Sequence, residues 1–228
     1  MTETFFVGID GPAGSGKSSV SKQTARRLGF GYLDTGSVYR ALAWHVTQGE
    51  ASTDDPDAVE AAFSTFEPEI SLDPDERSVR VGGTDVTTAI RTPETTAAVS
   101  GVAKTTAVRP KINELFRRIV AEASQPGVIV EGRDITTVVA PDAPVRILLT
   151  AHPDVRAARR SAEMGAADVA KVAEAMRRRD ASDSTVVDFL NAAEGVETVD
   201  TTNLNFDESV DAVIRVIDER REGGRDGR

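Results

Sequence analysis

The chain has 228 residues, 39% of them hydrophobic, enough for one good-sized core with room for insertions. A formal net charge of −10 argues against duplex nucleic acid or an anionic membrane as a partner, so any polyanion must meet a local cluster of Arg and Lys. The absence of cysteine excludes disulfides, thiolate nucleophiles and thiolate metal sites, as in a reducing cytoplasm. No apolar signal core follows the first residues, and no apolar run approaches the roughly 20 residues of a membrane helix. A cytoplasmic monomer is the expectation.

Short apolar runs bounded by turn residues alternate with segments of helical period, the pattern of an α/β protein with a parallel sheet. A first core strand is expected at residues 5–10, followed by a glycine-rich loop and a helix over 17–28. Further core strands are expected at 31–34, 128–131, 145–150 and 196–199. Between about residues 68 and 89 the period changes to alternation, with a Pro-Asp turn and Gly82-Gly83, which predicts a small antiparallel insertion. Ile112, Leu115, Phe116, Ile119 and Val120 form a buried helical stripe. From about 156 to 183 the chain is Arg-rich and broken at Met164-Gly165, as for two helices joined by a mobile turn. Val210, Val213, Ile214 and Ile217 repeat the helical stripe, with Asn205 and Glu208 as its N-terminal cap. The Gly- and charge-rich tail from 221 is expected to fray.

The loop Gly11-Pro12-Ala13-Gly14-Ser15-Gly16-Lys17-Ser18 fits G-x-x-x-x-G-K-[ST] between a strand and a helix. Its glycines allow the backbone N–H groups to approach phosphate oxygens, Lys17 adds a mobile charge, and the helix N-terminus adds its dipole. With Ser19, these residues are the candidate ATP-binding set. Ser18 is the candidate ligand of Mg²⁺, with Asp10, Asp34 and Glu131 as candidate outer-shell carboxylates. Such a loop does not say what receives the phosphate.

Two absences narrow the acceptor: there is no Asn-Lys-x-Asp guanine-reading motif, and no four-residue apolar strand ending in Asp-Glu. Arginines stand instead in polar settings: Arg40, Arg91, Arg109 and Arg133. Any one of them could be a solvated surface charge. Arg40 and Arg133, however, follow core strands at Asp34-Thr35-Gly36 and Glu131-Gly132-Arg133-Asp134, where ligands sit in open α/β sheets. Several guanidinium forks suit a second phosphate-bearing substrate. His45 and His152 stand alone and read as surface or packing residues.

The segments Ile9-Asp-Gly-Pro-Ala-Gly-Ser-Gly-Lys-Ser, Leu33-Asp-Thr-Gly-Ser-Val-Tyr-Arg, Ile90-Arg and Glu131-Gly-Arg-Asp-Ile-Thr-Thr-Val-Val-Ala-Pro-Asp-Ala resemble the bacterial cytidylate kinase family over nearly the whole chain. The resemblance implies a P-loop nucleoside monophosphate kinase fold: a central parallel five-stranded sheet with flanking helices, a small antiparallel β insertion and a mobile lid. It divides the chain into core (1–36), a monophosphate-binding region (37–98, insertion about 68–89), core (99–152), lid (153–183), core (184–221) and tail (222–228). It implies transfer of the γ-phosphoryl group of ATP to CMP or dCMP, with Mg²⁺. By position, Arg40 and Arg133, with Arg91 as a further candidate, would hold the acceptor phosphate. Thr35, Ser100, Arg109 and Asp134 would line the pyrimidine pocket, and Tyr39 joins the CMP-binding set. Arg179 and Asp183 would meet the ribose. Arg156, Arg159 and Arg160 would be lid arginines which, with Lys17 and Arg133, serve the transferring phosphoryl group. Where the family reads Asp-Ser-x-Arg, this chain has Asp183-Ser184-Thr185-Val186, and Val187-Asp-Phe-Leu replaces a Pro-containing segment, which puts cytosine selectivity in question.

An acceptor phosphate monoester, with a second pKa of about 6, needs no general base, so the task is to neutralise and align two polyanions. Asp134 then reads as a pocket or Arg-orienting residue. Other acceptors, such as UMP, dTMP or a non-nucleotide alcohol, and a non-catalytic P-loop module remain open from sequence.

Overall fold

The computed structural model describes residues 4–165, 168–185 and 187–223, and of residues 182 and 183 the backbone alone. The chain divides into two compact units, Met1–Tyr32 with Gln125–Arg228, and Leu33–Ser124.

In the first unit, β1 (Phe5–Asp10) runs into the glycine-rich loop and α1 (Lys17–Leu28). After the second unit come β6 (Gly127–Glu131), β7 (Val145–Thr150), α6 (Pro153–Glu163), α7 (Val169–Ser184), β8 (Glu197–Asp200) and α8 (Phe206–Gly223). The strand β2 (Gly31–Asp34) crosses from one unit to the other. The sheet order is β2-β6-β1-β7-β8, with β1–β6, β1–β7 and β7–β8 all parallel. The expected strands therefore form within a residue of their predicted ends. The chain places β6 and β7 on opposite sides of β1, so the loops after β1 and β6 leave the same sheet edge at a topological switch point.

Val7, Ile9, Ile129, Ile147 and Leu149 join one core cluster, and Val128, Val130 and Leu148 at the alternating positions are buried too, so the sheet is covered on both faces and these strands read as near-continuous apolar runs. Val210, Val213 and Ile217 of α8 join the same core. The cap of α8 is reciprocal: Asn205 Oδ1 accepts from the Glu208 N–H at 2.9 Å, and Glu208 Oε2 accepts from the Asn205 N–H at 2.8 Å. This helix runs on to Gly223, past the point where composition suggests fraying, because the Arg221 guanidinium lies over the rings of Phe5 and Phe30 at 5.7 and 5.6 Å. Of the expected tail, residues 224–228 lie outside the described residues.

The second unit contains α2 (Thr35–Gln48), α3 (Pro56–Phe63), β3 (Pro68–Ile70), β4 (Val79–Val81), β5 (Thr84–Asp85), α4 (Pro93–Lys104) and α5 (Arg109–Ala121). The strands β3, β4 and β5 form the expected small antiparallel sheet. Ile112, Leu115, Phe116 and Val120 of α5 are buried, as their spacing predicts. Sequence gave no warning at Gly101, where α4 meets the carbonyl of Thr53 so closely that a Cβ would stand 2.2 Å from its oxygen.

Gly101→Ala sets two effects against each other. Helix propensity favours Ala by about 1 kcal/mol, while forcing a methyl into packed backbone costs about 1–3 kcal/mol. The clash is with backbone, which cannot swing away, so a net loss of stability and a lower Tm by calorimetry are expected.

Candidate active site

The β1 to α1 loop is shaped for an anion. Gly11 has φ +147°, and a Cβ there would lie 2.1 Å from the Leu149 carbonyl oxygen. At Gly14, with φ +72°, a Cβ would meet Met176 Cε at 2.7 Å and the Arg156 carbonyl oxygen at 2.9 Å. Both positions therefore require glycine. The N-cap of α1 is Gly16, with no side chain accepting from the first turn, whereas Asp34, Asp55 and Thr92 cap α2, α3 and α4. The opening N–H groups of α1 are thus left for a ligand. Within the loop the buried Ser15 hydroxyl has no protein partner.

Three consecutive loop carbonyls each accept from a different cation. Arg133 Nη1 donates to Gly11 O at 2.8 Å, Lys17 Nζ to Pro12 O at 3.0 Å, and Arg156 Nη1 to Ala13 O at 2.9 Å. Burial pushes the Lys17 ammonium down from 10.5 to about 8, and the neighbouring Arg133 and Arg179 charges push the same way against Glu131 and Asp10. Phosphate would relieve that repulsion. Arg156, on α6, also pairs with Asp180 of α7 at 2.7 Å, both side chains being 10% exposed. Asp180 in turn accepts from the Ala13 N–H at 3.3 Å, so the α6 and α7 hairpin grips the loop peptide from both sides.

Ser18 and Ser19 are exposed at the start of α1, and the Ser18 hydroxyl donates to Glu131 Oε1 at 2.7 Å. Of the three candidate outer-shell carboxylates, Glu131 alone stands at that hydroxyl. Asp10 is 2% exposed and accepts from Ile135 N, Thr136 N and Thr136 Oγ1 at 2.9, 2.8 and 2.7 Å. Burial raises its pKa and those three bonds lower it, with burial the larger effect. Asp10 thereby fastens a single π-helical turn, Ile135–Val139, to the end of β1. That turn fixes the Glu131 to Asp134 loop, whose Asp134 is buried and accepts through its carbonyl from Val138 and Val139.

The other predicted lid residues lie elsewhere. Arg159 donates to Thr201 Oγ1, Thr201 O and Leu204 O, tying α6 to the turn after β8 rather than to the loop. Arg160 is exposed and pairs with Glu163 one turn on. Arg179 is exposed on α7, close enough to act on the Lys17 charge. The Asp183 side chain and Val186 lie outside the described residues.

In the second unit, Asp34 Oδ1 caps α2 through the Ser37 N–H while Oδ2 accepts from Arg40 Nη2 at 2.8 Å. The buried Arg40 Nε has no protein acceptor, which leaves a charged donor for a ligand. Thr35 is buried at the start of α2, and Tyr39 packs tilted against Phe116 with centroids 6.2 Å apart. Arg91 is exposed and donates to the Thr87 carbonyl, Arg109 donates to Ala103 O at 3.1 Å, and Ser100 is exposed on α4.

Asp180 was not legible beforehand. It reads as one acid in an Arg-rich helix, and its partner is 24 residues away on another. Phe189, whose ring lies 4.4 Å from the Arg133 guanidinium, likewise carries no motif.

A parallel sheet whose first strand feeds a phosphate-gripping loop, with Arg133 from the loop after β6 and Arg156 from α6 on its carbonyls, defines a P-loop phosphotransferase of the nucleoside monophosphate kinase fold. The model of the cytidylate kinase family matches residues 7–219, and the chain belongs to that family. A cytidylate kinase of Cutibacterium acnes is 47% identical, covering 95% of this chain and 97% of its own. Those of Streptomyces coelicolor and Mycobacterium avium are 46% and 44% identical, covering 96% and 99% of this chain and 94% and 100% of their own. Among solved structures, an uncharacterized protein from Eubacterium ventriosum superposes with a TM-score of 0.53 at 12% identity, covering 94% of this chain and 99% of its own, a likeness of fold alone. Among the described residues no helix is long and apolar enough to cross a membrane.

Two outcomes are expected. Asp10→Asn turns an amide N–H toward donors, costs about 1–3 kcal/mol in denaturant unfolding, and slows turnover by loosening the Arg133 loop. The folded Lys17 pKa lies below its unfolded value, so the unfolded chain binds the extra proton between about pH 8 and about pH 10, and the ligand-free protein gains stability from this group as pH rises. Urea unfolding of Lys17→Met should show that gain abolished.

Proposed function

We propose that this chain transfers the γ-phosphoryl group of ATP to CMP or dCMP, giving ADP and CDP or dCDP. The observation that carries the reading is the trio of cations on consecutive carbonyls of the glycine-rich loop, in a member of the cytidylate kinase family. Donor phosphates would take the open amides of the loop and of the first turn of α1. Lys17 would then leave Pro12 O for phosphate oxygens, a better partner for a crowded ammonium. The Ser18 hydroxyl and Glu131 beside it are oxygen donors that would hold Mg²⁺. Mg²⁺, when bound, supplies neutralisation of the phosphate charge.

Arg40 and Arg133 each serve the acceptor phosphate, and the unpaired Nε of Arg40 supports that role. Arg91 contributes to the same charge, Thr35, Ser100, Arg109 and Asp134 to the pyrimidine, Arg179 with Asp183 to the ribose, and Tyr39 to CMP binding. Residues 37–98 receive the monophosphate, and residues 153–183 act as the lid that excludes water as a competing acceptor. Within the lid, Arg156 serves the transferring group from its place at Ala13 O. The bonds of Arg159 and Arg160 fit support of the lid in this state, so their proposed part in transfer would require them to change partners. Chemistry then consists of alignment and charge neutralisation, since the acceptor oxygen is already ionised.

Coupled-assay rates with CMP, dCMP, UMP and AMP test the acceptor: CMP or dCMP is expected to give the highest kcat/KM, and a higher value for UMP or AMP would refute the assignment. Lys17→Ala is expected to lower kcat by about 10²–10³-fold, in line with loss of one preorganised electrostatic group.

A further inference from the structure

Beyond its bond to Gly11 O, the Arg133 guanidinium lies over the Phe189 ring, 4.4 Å from its centroid. Phe189 is 1% exposed although Asp188 and Leu190 on either side are exposed. A tight turn explains the inversion. Asp188 Oδ1 accepts from the N–H groups of Leu190 and Asn191 at 3.0 and 3.2 Å, and the Asn191 amide donates to both carboxylate oxygens. Those bonds, the Asn191 side chain first, hold the Asp188 carboxyl below its usual pKa. The turn therefore presents one residue inward, and that residue is aromatic.

An aromatic face suits this position for a physical reason. Arg133 and Lys17 are like charges close enough to depress the lysine pKa, so Arg133 must be held against repulsion. A ring quadrupole attracts the guanidinium through its face and leaves its net charge intact.

We propose that Phe189 is a positioning residue for phosphoryl transfer, its ring face seating the Arg133 guanidinium beside the glycine-rich loop so that the acceptor phosphate meets a preorganised fork. The inference rests on the reading of Arg133 as a ligand of that phosphate. It also gives the segment that departs from the family's Pro-containing stretch a task in the site.

Steady-state kinetics of Phe189→Leu, Arg133→Ala and the double variant test it. Phe189→Leu keeps an apolar side chain without a π face, and is expected to raise the KM for CMP about 3- to 30-fold while the KM for ATP stays within about twofold. In the Arg133→Ala background the same change should add nothing, because the ring acts through the arginine. A polyfluorinated phenylalanine placed at 189, with nearly the same shape and a weakened π face, should reproduce the rise in KM at unchanged Tm. Equal effects on both KM values, the same factor recurring without Arg133, or a fluorinated variant indistinguishable from the natural protein would each overturn the proposal. Should Arg133→Ala leave the KM for CMP unchanged, the acceptor role of Arg133 falls first and the proposal with it. If Phe189→Leu does not fold, the fluorinated variant alone decides.

Discussion

The crowding of positive charge around one loop sets the terms for the rest of the first unit. Lys17, Arg133 and Arg156 converge on carbonyls 11, 12 and 13, and those carbonyls, three carboxylates and a ring act on them there before any anion arrives. Each cation is individually supported: Arg156 by Asp180, Arg133 by Phe189, and Lys17 by the fields of Glu131 and Asp10. The repulsion that remains is stored against the arrival of phosphate. An electrostatic site of this kind works because its dipoles and charges are in place before the ligand comes.

Preorganisation requires anchors, and the anchors are built from ordinary fold chemistry. Asp10 spends its carboxylate on the amides and hydroxyl of Ile135 and Thr136, which keeps the loop after β6 in register with the loop after β1. The same sheet edge thus supplies the glycine-rich loop and the loop that carries Arg133. The α6 and α7 hairpin adds a third anchor, with Arg156 holding the carbonyl and Asp180 the N–H of Ala13. A hairpin that touches the loop through a salt bridge 10% exposed on both sides gains a well-defined docking geometry, and loses it if either partner is removed.

Much of this architecture was legible. The strand runs, the small antiparallel sheet, the α5 and α8 stripes and the Asn205–Glu208 cap all follow from patterns a few residues long, in which the chemistry that selects the element is local. The glycine-rich loop was legible for the same reason. The arginines were legible as candidates but not as a set. Arg156 and Arg159 look alike in the sequence and share a helix face, yet one lies on the loop and the other on the turn after β8, because nearly a full turn along α6 separates them. That Glu131 accepts from the Ser18 hydroxyl, 113 residues away in the chain, also needed the fold.

What the sequence determined by itself is therefore the cradle, the sheet and the family, since each is written in contiguous residues whose backbone demands are met locally. What only the tertiary structure decided is which charges are neighbours. The pairing of Arg156 with Asp180, the seating of Arg133 on Phe189 and the capture of the 135–139 turn by Asp10 join residues far apart in the chain. Their energies depend on distance and burial, quantities that exist only once the strands and helices have packed.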